Sequence, residues 1–146
     1  MRGIDHVLKD LIRADCESWT VYREEMWKLT SAFRVADGRT AMLSNGVPEV
    51  MSKVRINRSL DQYFDVVVVS YEVGCVKPDP AIYRICLERL GVPASCALFT
   101  DDRVVNLEAA SRLGFQTLHF SGDESVDVLR ARIGLLGDPD AADFSK

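Results

Sequence analysis

The amino-acid sequence predicts an α/β protein with a Rossmann-like, doubly wound parallel sheet. Short apolar runs that are typical of strands alternate with stretches of helical periodicity between residues 37 and 136. The clearest strand contains four consecutive valines, Val66 to Val69, and this lack of alternation favours a strand that is covered on both faces. Because strands that alternate with helices are joined by right-handed crossovers, the strands are expected to be parallel.

The first 36 residues are predicted to form a separate helical segment. Two apolar stripes at helical spacing support this, one beginning at Ile4 and the other at Trp19. They predict two helices, or one bent helix, over residues 4–35. Trp19 and Trp27 are interpreted as packing residues, because aromatic side chains at this spacing are usually core or interface anchors.

Turn and cap residues set the order of the remaining elements. A strand is predicted in RTAMLSNG after the Asp37-Gly38 turn, and a helix begins at Pro48, since proline suits the first helical turn. After the valine strand, Pro80 begins a helix that Gly91 ends in a left-handed cap. The same alternation continues with the strand CALFTDD, a helix from Val104 to Gly114, the strand QTLHF, a helix in SVDVLRARIGLL and a tail over residues 137–146.

Composition and charge exclude several classes of function. The chain of 146 residues carries a net charge of -4, which offers neither nucleic acid nor an anionic membrane a broad surface to bind. No apolar run approaches the roughly 20 residues that a membrane-spanning helix needs, and no signal-peptide core is found. The four cysteines lack metal-ligand spacing and are interpreted as small apolar residues in a reducing compartment, hence the cytoplasm.

Polar side chains follow three of the predicted strands at the point where each strand ends. Ser44 and Asn45 follow the strand RTAMLSNG, Lys77 lies in the loop after the valine strand, and Asp101 and Asp102 end CALFTDD. In doubly wound sheets, ligands bind beyond the carboxyl ends of the strands. A hydroxyl and backbone amides bind phosphate oxygens, a lysine neutralises their charge, and paired carboxylates bind Mg²⁺. The combination predicts a pocket for magnesium and a small phosphorylated molecule.

Each of these groups also has a purely structural interpretation. Ser44-Asn45-Gly46 is a common turn sequence, Lys77 fits a solvated loop, and adjacent aspartates fit a helix cap. Taken singly, each group favours the structural interpretation. Three independent strand ends nevertheless carry phosphate-compatible groups, and this coincidence favours the functional one.

From about residue 39 to 120, the chain resembles the haloacid dehalogenase-like superfamily, especially its members with a helical cap inserted after the first strand. Three of the four motifs of that superfamily are similar to AMLSNG, VGCVKPDPAIY and ALFTDDRVVNLEAASRLGF. The lysine before Pro-Asp-Pro is the most specific of these signals. By this resemblance, residues 1–36 correspond to the latter part of the cap and its linker, and residues 37–136 to the α/β core.

The resemblance implies a role for each candidate residue. Ser44 would bind the transferring phosphoryl oxygen, and Asn45 would shape the same phosphate pocket. Lys77 would order both the nucleophile and the phosphate, which makes it a catalytic residue. The fourth motif implies the rest: Asp101 and Asp102 would bind Mg²⁺, Asp102 would also be catalytic, and Asn106 would brace the loop.

The first motif of the superfamily, an apolar strand followed by Asp-x-Asp, is not recognised in the sequence. In the superfamily the first acid is the nucleophile and the second is the general acid and base. The early stretch GIDHVLKD offers Asp5, but Val7 stands where the second acid belongs and the pattern continues as a helix. The core is therefore predicted without its first strand, which would lie between the strands that end at Ser44 and Asp101.

A missing central strand would leave two unpaired edges, and such edges favour association. A segment lost upstream or a shortened fold that closes the gap would account for the missing strand. So would a homodimer or a partner chain that fills the gap.

Two functions follow from these residues. The first is a hydrolase domain derived from a magnesium-dependent phosphatase of small phosphorylated metabolites, and catalytically impaired because the nucleophile is missing. Paired acids favour phosphate over haloacid substrates. The alternative is a non-catalytic phosphate-binding or assembly module. A phosphoacceptor receiver domain is disfavoured, because receivers place the paired acids near the first strand and here the acids come last.

Overall fold

A sheet of five parallel strands forms the centre of the computed structural model, which describes residues 10–14, 24–35, 38–57, 59–121, 127 and 130–131. The strands are β1 Asp10–Ala14, β2 Arg39–Ser44, β3 Val66–Val69, β4 Ala97–Asp101 and β5 Gln116–His119. They lie side by side in the order β3-β2-β1-β4-β5, and every neighbouring pair is parallel.

Helices connect the successive strands, as a parallel sheet requires. They are α1 Glu24–Val35, α2 Pro48–Asn57, α3 Ser70–Val73, α4 Pro80–Leu90 and α5 Val104–Arg112, with short 3-10 turns at Leu60–Gln62 and Ala94–Cys96. Within the described ranges, no helix is long and apolar enough to cross a bilayer. The alternation confirms the predicted Rossmann-like α/β class.

Strand β1 corrects the prediction for the N-terminal segment. Residues 10–14 were predicted to be helical, at least in part, but they pair with β2 on one side and β4 on the other. This strand occupies the central position that was predicted to be missing, so the gap is filled from within the chain. Leu11 and Ile12 fit a short apolar strand as well as a helical stripe, and pairing with two strands outweighs a weak helical preference.

The described residues cover parts of the other elements predicted near the two ends of the chain. Helix α1, residues 24–35, confirms the second predicted helix, whereas residues 4–9 and 15–23 lie outside the described residues. Of the predicted last helix, the structure describes Asp127, Arg130 and Ala131, which are helical. The predicted tail, residues 137–146, also lies outside the described residues.

The carboxyl ends of the strands meet at one edge of the sheet, and the register brings the candidate residues to that edge. On β1, Ala14 pairs with Leu43, the residue that precedes Ser44. On the other side of β1 within the sheet, Asp101 of β4 pairs with His119 of β5. The loops that follow these strands therefore lie around the central strand, where doubly wound sheets bind ligands.

Helix α4 has well-defined ends, and its start lies just after Lys77. Pro80 occupies the first turn, and the Asp79 carboxylate accepts a hydrogen bond from the Ala81 amide at 2.9 Å. Gly91 ends the helix with φ of 72°, a left-handed conformation that glycine adopts without strain. Both predicted boundaries of this helix are confirmed.

Strand β2 divides its side chains between two apolar cores. Ala41 and Leu43 belong to one cluster and Met42 to the other, and all three are fully buried. Alternate residues of a strand point to opposite faces of its sheet, so both faces are covered here. In the second cluster, Trp27 is 1% exposed and packs edge-on against Tyr63, which confirms its predicted packing role. Trp19 lies outside the described residues.

Tyr83 links the larger core to helix α5. Its ring packs edge-on against Phe99, and its hydroxyl donates a hydrogen bond to the carbonyl oxygen of Asn106 at 2.9 Å. Tyr83→Phe is expected to lower the free energy of unfolding by about 1 kcal/mol, because this buried hydrogen bond is lost. Urea unfolding measures the change. Tyr71→Phe is the control, because Tyr71 is exposed and its side-chain hydrogen bond with Arg55 lies at the surface, where its loss costs less. Equal losses in the two variants would contradict the prediction.

The described cysteines are free thiols. Cys86 is buried, whereas Cys75 and Cys96 are half-buried. Burial raises the pKa of Cys86 to about 12, so this thiol stays protonated and unreactive at neutral pH. The predicted apolar role is confirmed for Cys86, and Cys16 lies outside the described residues.

Candidate functional site

Lys77 and Asp101 form a buried ion pair at the carboxyl edge of the sheet. Lys77 Nζ lies 3.0 Å from Asp101 Oδ2, and each side chain is 1% exposed. The ammonium also lies 5.8 Å from the centre of the Phe99 ring, whose face attracts a cation. A lysine this deeply buried needs a charged partner. The structural interpretation of Lys77 as a solvated loop charge is therefore wrong, and the loop after α3 meets the end of β4.

Both carboxylate oxygens of Asp101 accept hydrogen bonds. Oδ1 accepts from the Arg103 amide at 2.8 Å, and Oδ2 accepts from Asn106 Nδ2 at 3.0 Å in addition to Lys77. Burial alone would raise the pKa of Asp101, but the charge of Lys77 and the Arg103 amide outweigh burial and lower it. Asp101 is therefore ionised at neutral pH and orients the groups around it.

Asn45 holds the backbone that carries Lys77. Its Oδ1 accepts a hydrogen bond from the Lys77 amide at 2.8 Å, and its Nδ2 donates to the Lys77 carbonyl at 3.0 Å. The peptide bond from Lys77 to Pro78 is cis. The two hydrogen bonds join the loop after β2 to the loop after α3, so Asn45 fixes one loop against the other.

Ser44 is fully buried at the end of β2, and its Oγ accepts a hydrogen bond from the Gly46 amide at 2.8 Å. A Cβ atom on Gly46 would come within 2.9 Å of that oxygen, so the turn needs glycine. The sequence Ser44-Asn45-Gly46 is thus a tight turn, as its structural interpretation says. The same turn holds Ser44 and Asn45 at the carboxyl edge of the sheet, near Lys77. The structural and the functional interpretation of this sequence are therefore compatible.

Asp102 is the more accessible of the paired acids. It is half-buried, whereas Asp101 is only 4% exposed. Burial raises the pKa of Asp102, and the hydrogen bond and negative charge of Asp101 raise it further. A divalent cation would relieve this repulsion, and carboxylate oxygens are the ligands that Mg²⁺ prefers. The pair therefore fits magnesium, although no third His, Cys, Asp or Glu joins it in the described part of the chain.

Asn106 braces the acid loop from helix α5. It is 2% exposed, and its Nδ2 donates to Asp101 at 3.0 Å, which agrees with the bracing role that the resemblance implies. Its Oδ1 is buried without a hydrogen-bond partner among the described residues. An unsatisfied buried acceptor costs about 1–3 kcal/mol, so this position favours a water molecule or another donor.

His119 is a residue of this edge that the sequence analysis did not select. Its Nε2 lies 2.9 Å from the carbonyl oxygen of Asp102. The available signal was its position at the end of the strand QTLHF, which reaches the same edge as CALFTDD. Metal-ligand spacing of histidines does not indicate a ring that contacts a backbone carbonyl.

Two acids that follow β1 in the sequence were also overlooked. Asp15 is the next residue after Ala14, and Glu17 follows two positions later. Both lie outside the described residues. The helical interpretation of the N-terminal segment hid this pattern, because it assigned Leu11 and Ile12 to a helix rather than to a strand that precedes an acid.

Comparison with known proteins agrees with the geometry. A sequence model of the haloacid dehalogenase-like hydrolases matches residues 3–114. The chain belongs to this family. The resemblance in the sequence motifs began at about residue 39, whereas the family match begins at residue 3 and therefore includes β1.

Two curated relatives illustrate the haloacid dehalogenase-like match. The chain is 38% identical over 111 residues to mouse acyl-CoA dehydrogenase family member 10, covering 75% of this chain and 10% of that protein. It is 33% identical over 79 residues to phosphoserine phosphatase of Thermus thermophilus, covering 53% of this chain and 32% of that enzyme. The chain thus spans about a third or less of the length of these relatives.

A solved haloacid dehalogenase family enzyme has a similar fold. It comes from Bacteroides thetaiotaomicron and was crystallised with magnesium and inorganic phosphate. The TM-score is 0.67 with 26% sequence identity, over 73% of this chain and 57% of that one. The likeness supports the haloacid dehalogenase-like α/β fold, and that enzyme's complex contains the two groups that the sequence predicts here.

Proposed function

We propose that this chain binds a small phosphorylated metabolite together with Mg²⁺ and hydrolyses its phosphate ester. The observation that carries the proposal is the meeting of the segments that follow three strands, in which Lys77 lies 3.0 Å from Asp101 while Asn45 holds the Lys77 backbone. Lys77 supplies positive charge for an anion, and Ser44 ends the neighbouring strand. The relation to phosphoserine phosphatase and the magnesium and phosphate in the Bacteroides enzyme support this choice.

Different residues at the carboxyl edge of the sheet would bind the cation and the phosphate. Asp102, with Asp101 beside it, would hold Mg²⁺, which when bound neutralises and orients phosphoryl oxygens. Lys77 is held by Asp101 in one position, so its charge is fixed before the anion binds. The Ser44 hydroxyl is fixed by the Gly46 amide at the end of β2, where it can bind a phosphoryl oxygen.

The nucleophile is assigned to Asp15. The expectation of impaired catalysis depended on a missing first strand, and β1 now fills that position. Asp15 follows β1, and Glu17 stands where the family pattern has its second acid. The Asp15 carboxylate would bond to phosphorus as the ester oxygen leaves, and Glu17 would give that oxygen its proton. Water would then lose a proton to Glu17, attack phosphorus and break the bond between phosphorus and Asp15, which releases phosphate.

Asp102→Asn tests the magnesium ligand. We expect magnesium-dependent hydrolysis of p-nitrophenyl phosphate to fall by about 10²-fold or more, because a neutral amide binds the cation more weakly than a carboxylate does. The extra gain in melting temperature that Mg²⁺ gives at saturating phosphate should also be lost, since a ligand stabilises only the state that binds it. Asp61→Asn, at an exposed acid, is the matched control. Equal magnesium responses in the two variants would contradict the assignment.

The non-catalytic phosphate-binding module is the second candidate. The hydrogen bonds of Asp101 favour this candidate. Both of its carboxylate oxygens already accept hydrogen bonds within the chain, from Lys77, Asn106 and the Arg103 amide, and this is a structural role. Thermal stabilisation by phosphate without measurable turnover in the unaltered chain would support this alternative. Turnover that requires Mg²⁺ would exclude it.

We also place the chain in a reducing compartment, the cytoplasm. The free thiols of Cys75, Cys86 and Cys96 support this proposal, because an oxidising compartment favours disulfides. The buried position of Cys86 agrees with an apolar role for that residue.

A further inference from the structure

The peptide unit between Asp102 and Arg103 is held at both of its polar ends. Its carbonyl oxygen lies 2.9 Å from His119 Nε2, and its N–H donates a hydrogen bond to Asp101 Oδ1 at 2.8 Å. The two contacts come from different strands, since His119 ends β5 and Asp101 ends β4. This peptide unit cannot rotate without breaking one of them. The direction in which the Asp102 side chain leaves the backbone is thereby restricted.

The sheet holds His119 in position for this contact. His119 pairs with Asp101 in the ladder between β4 and β5, and the following amide, of Phe120, donates to the Asp101 carbonyl at 3.0 Å. Because a carbonyl oxygen only accepts hydrogen bonds, the Nε2 atom of His119 must carry a proton and act as the donor. The ring itself is exposed, so a contact made at the surface is anchored by backbone pairing beneath it.

Asp102 needs such support because it lies on a short connection. Helix α5 begins at Val104, and its N-cap residue Arg103 makes no side-chain capping hydrogen bond. Groups behind a metal ligand fix its orientation, and their removal typically weakens metal binding by 10–100-fold. A hydrogen bond to the Asp102 carbonyl is of this kind, because it restrains the ligand through its own backbone.

We propose that His119 is a positioning residue for the magnesium ligand Asp102. The inference rests on the proposed magnesium-dependent function of the site. His119 acts through the peptide unit that follows Asp102, and not by contact with the cation or the substrate. It thereby couples the end of β5 to the acid pair at the end of β4.

Two substitutions in the full chain test this role. His119→Phe keeps a flat ring but removes the donor, and His119→Gln retains an N–H at a similar reach. We expect the apparent affinity for Mg²⁺, measured from the magnesium-dependent gain in melting temperature at saturating inorganic phosphate, to fall about tenfold in His119→Phe and to recover in His119→Gln. Hydrogen exchange of the Arg103 amide, measured without ligands, should be faster in His119→Phe.

Thr117→Val provides the matched control, because Thr117 is also exposed on β5 but pairs with Phe99, two residues before Asp101. Its magnesium affinity should equal that of the unaltered chain. Equal magnesium affinity in His119→Phe would overturn the positioning role, even if that variant melted at a lower temperature. A lack of any magnesium-dependent stabilisation in the unaltered chain would instead overturn the proposed function of the site.

Discussion

Lys77→Met is expected to lower the free energy of unfolding by about 3–5 kcal/mol at pH 7, the typical cost of removing one partner of a buried ion pair. Lys77 and Asp101 are each 1% exposed as side chains, so the substitution leaves a carboxylate charged and away from water. Hydrogen bonds from the Arg103 amide and Asn106 remain, but neither brings a compensating charge. Urea unfolding measures the loss. Lys53→Met, at an exposed lysine of α2, should change stability by less than about 0.5 kcal/mol.

The dependence of this loss on pH has a defined sign. In the unaltered chain the pKa of Asp101 is lowered, so its contribution to stability is present above the unfolded pKa of about 4 and is lost as the pH falls through the folded value. In Lys77→Met, burial is no longer offset by the ammonium and the folded pKa of Asp101 rises. Protonation then relieves the destabilisation, so the difference between the two proteins should narrow from pH 7 to pH 5.

A double variant separates the charge from the packing. Asp101→Asn combined with Lys77→Met removes both charges, so it should be more stable at pH 7 than Lys77→Met alone. A Lys77→Met protein as stable as the unaltered chain, or a difference that widens as the pH falls, would contradict a buried charged pair.

Asp15→Asn is expected to reduce hydrolysis of a phosphate ester by at least roughly 10³-fold, because an amide cannot replace a carboxylate nucleophile. Stabilisation by inorganic phosphate should largely remain, since Lys77 and Ser44 are unchanged. Glu17→Gln should give a loss of about 10²–10⁴-fold, the range for a general acid or base. Steady-state assays with p-nitrophenyl phosphate and Mg²⁺ measure both variants.

Asp10→Asn is the matched control for Asp15→Asn. It makes the same chemical change at the opposite end of β1, away from the carboxyl edge of the sheet. We expect its turnover to equal that of the unaltered chain. Turnover that survives in Asp15→Asn would remove the nucleophile from this residue.

Much of the fold was predictable because several boundaries have local causes. Pro80 and Gly91 mark the ends of α4 through proline's fixed φ and glycine's freedom at positive φ. The strand at Asp10–Ala14 was not predictable in the same way. Its pairing depends on β2 and β4, which lie far along the chain, and a short apolar pair such as Leu11-Ile12 fits a helix equally well.

In the candidate site, too, some features were predictable from the sequence and others were not. The meeting of Lys77 with Asp101 and Asp102 was predictable, because the topology of a parallel sheet brings the carboxyl ends of its strands together. This holds for any side chains that follow the strands. The contact between Asn45 and the Lys77 backbone depends on two loop conformations that no residue pattern specifies. The contact of His119 was missed for a related reason, because its partner is a carbonyl group and every residue has one.

The position of β1 in the sheet also sets an order for folding during synthesis. Residues 10–14 leave the ribosome before the other described strands, yet Asp10 pairs with Ala97 as well as with Arg39. Contacts between residues so distant in sequence slow folding, because a long loop must close before they form. The middle of the sheet therefore stays open until β4 emerges, and the nascent chain exposes apolar strand edges in the meantime. A chaperone that binds exposed apolar strand edges would therefore act during this interval.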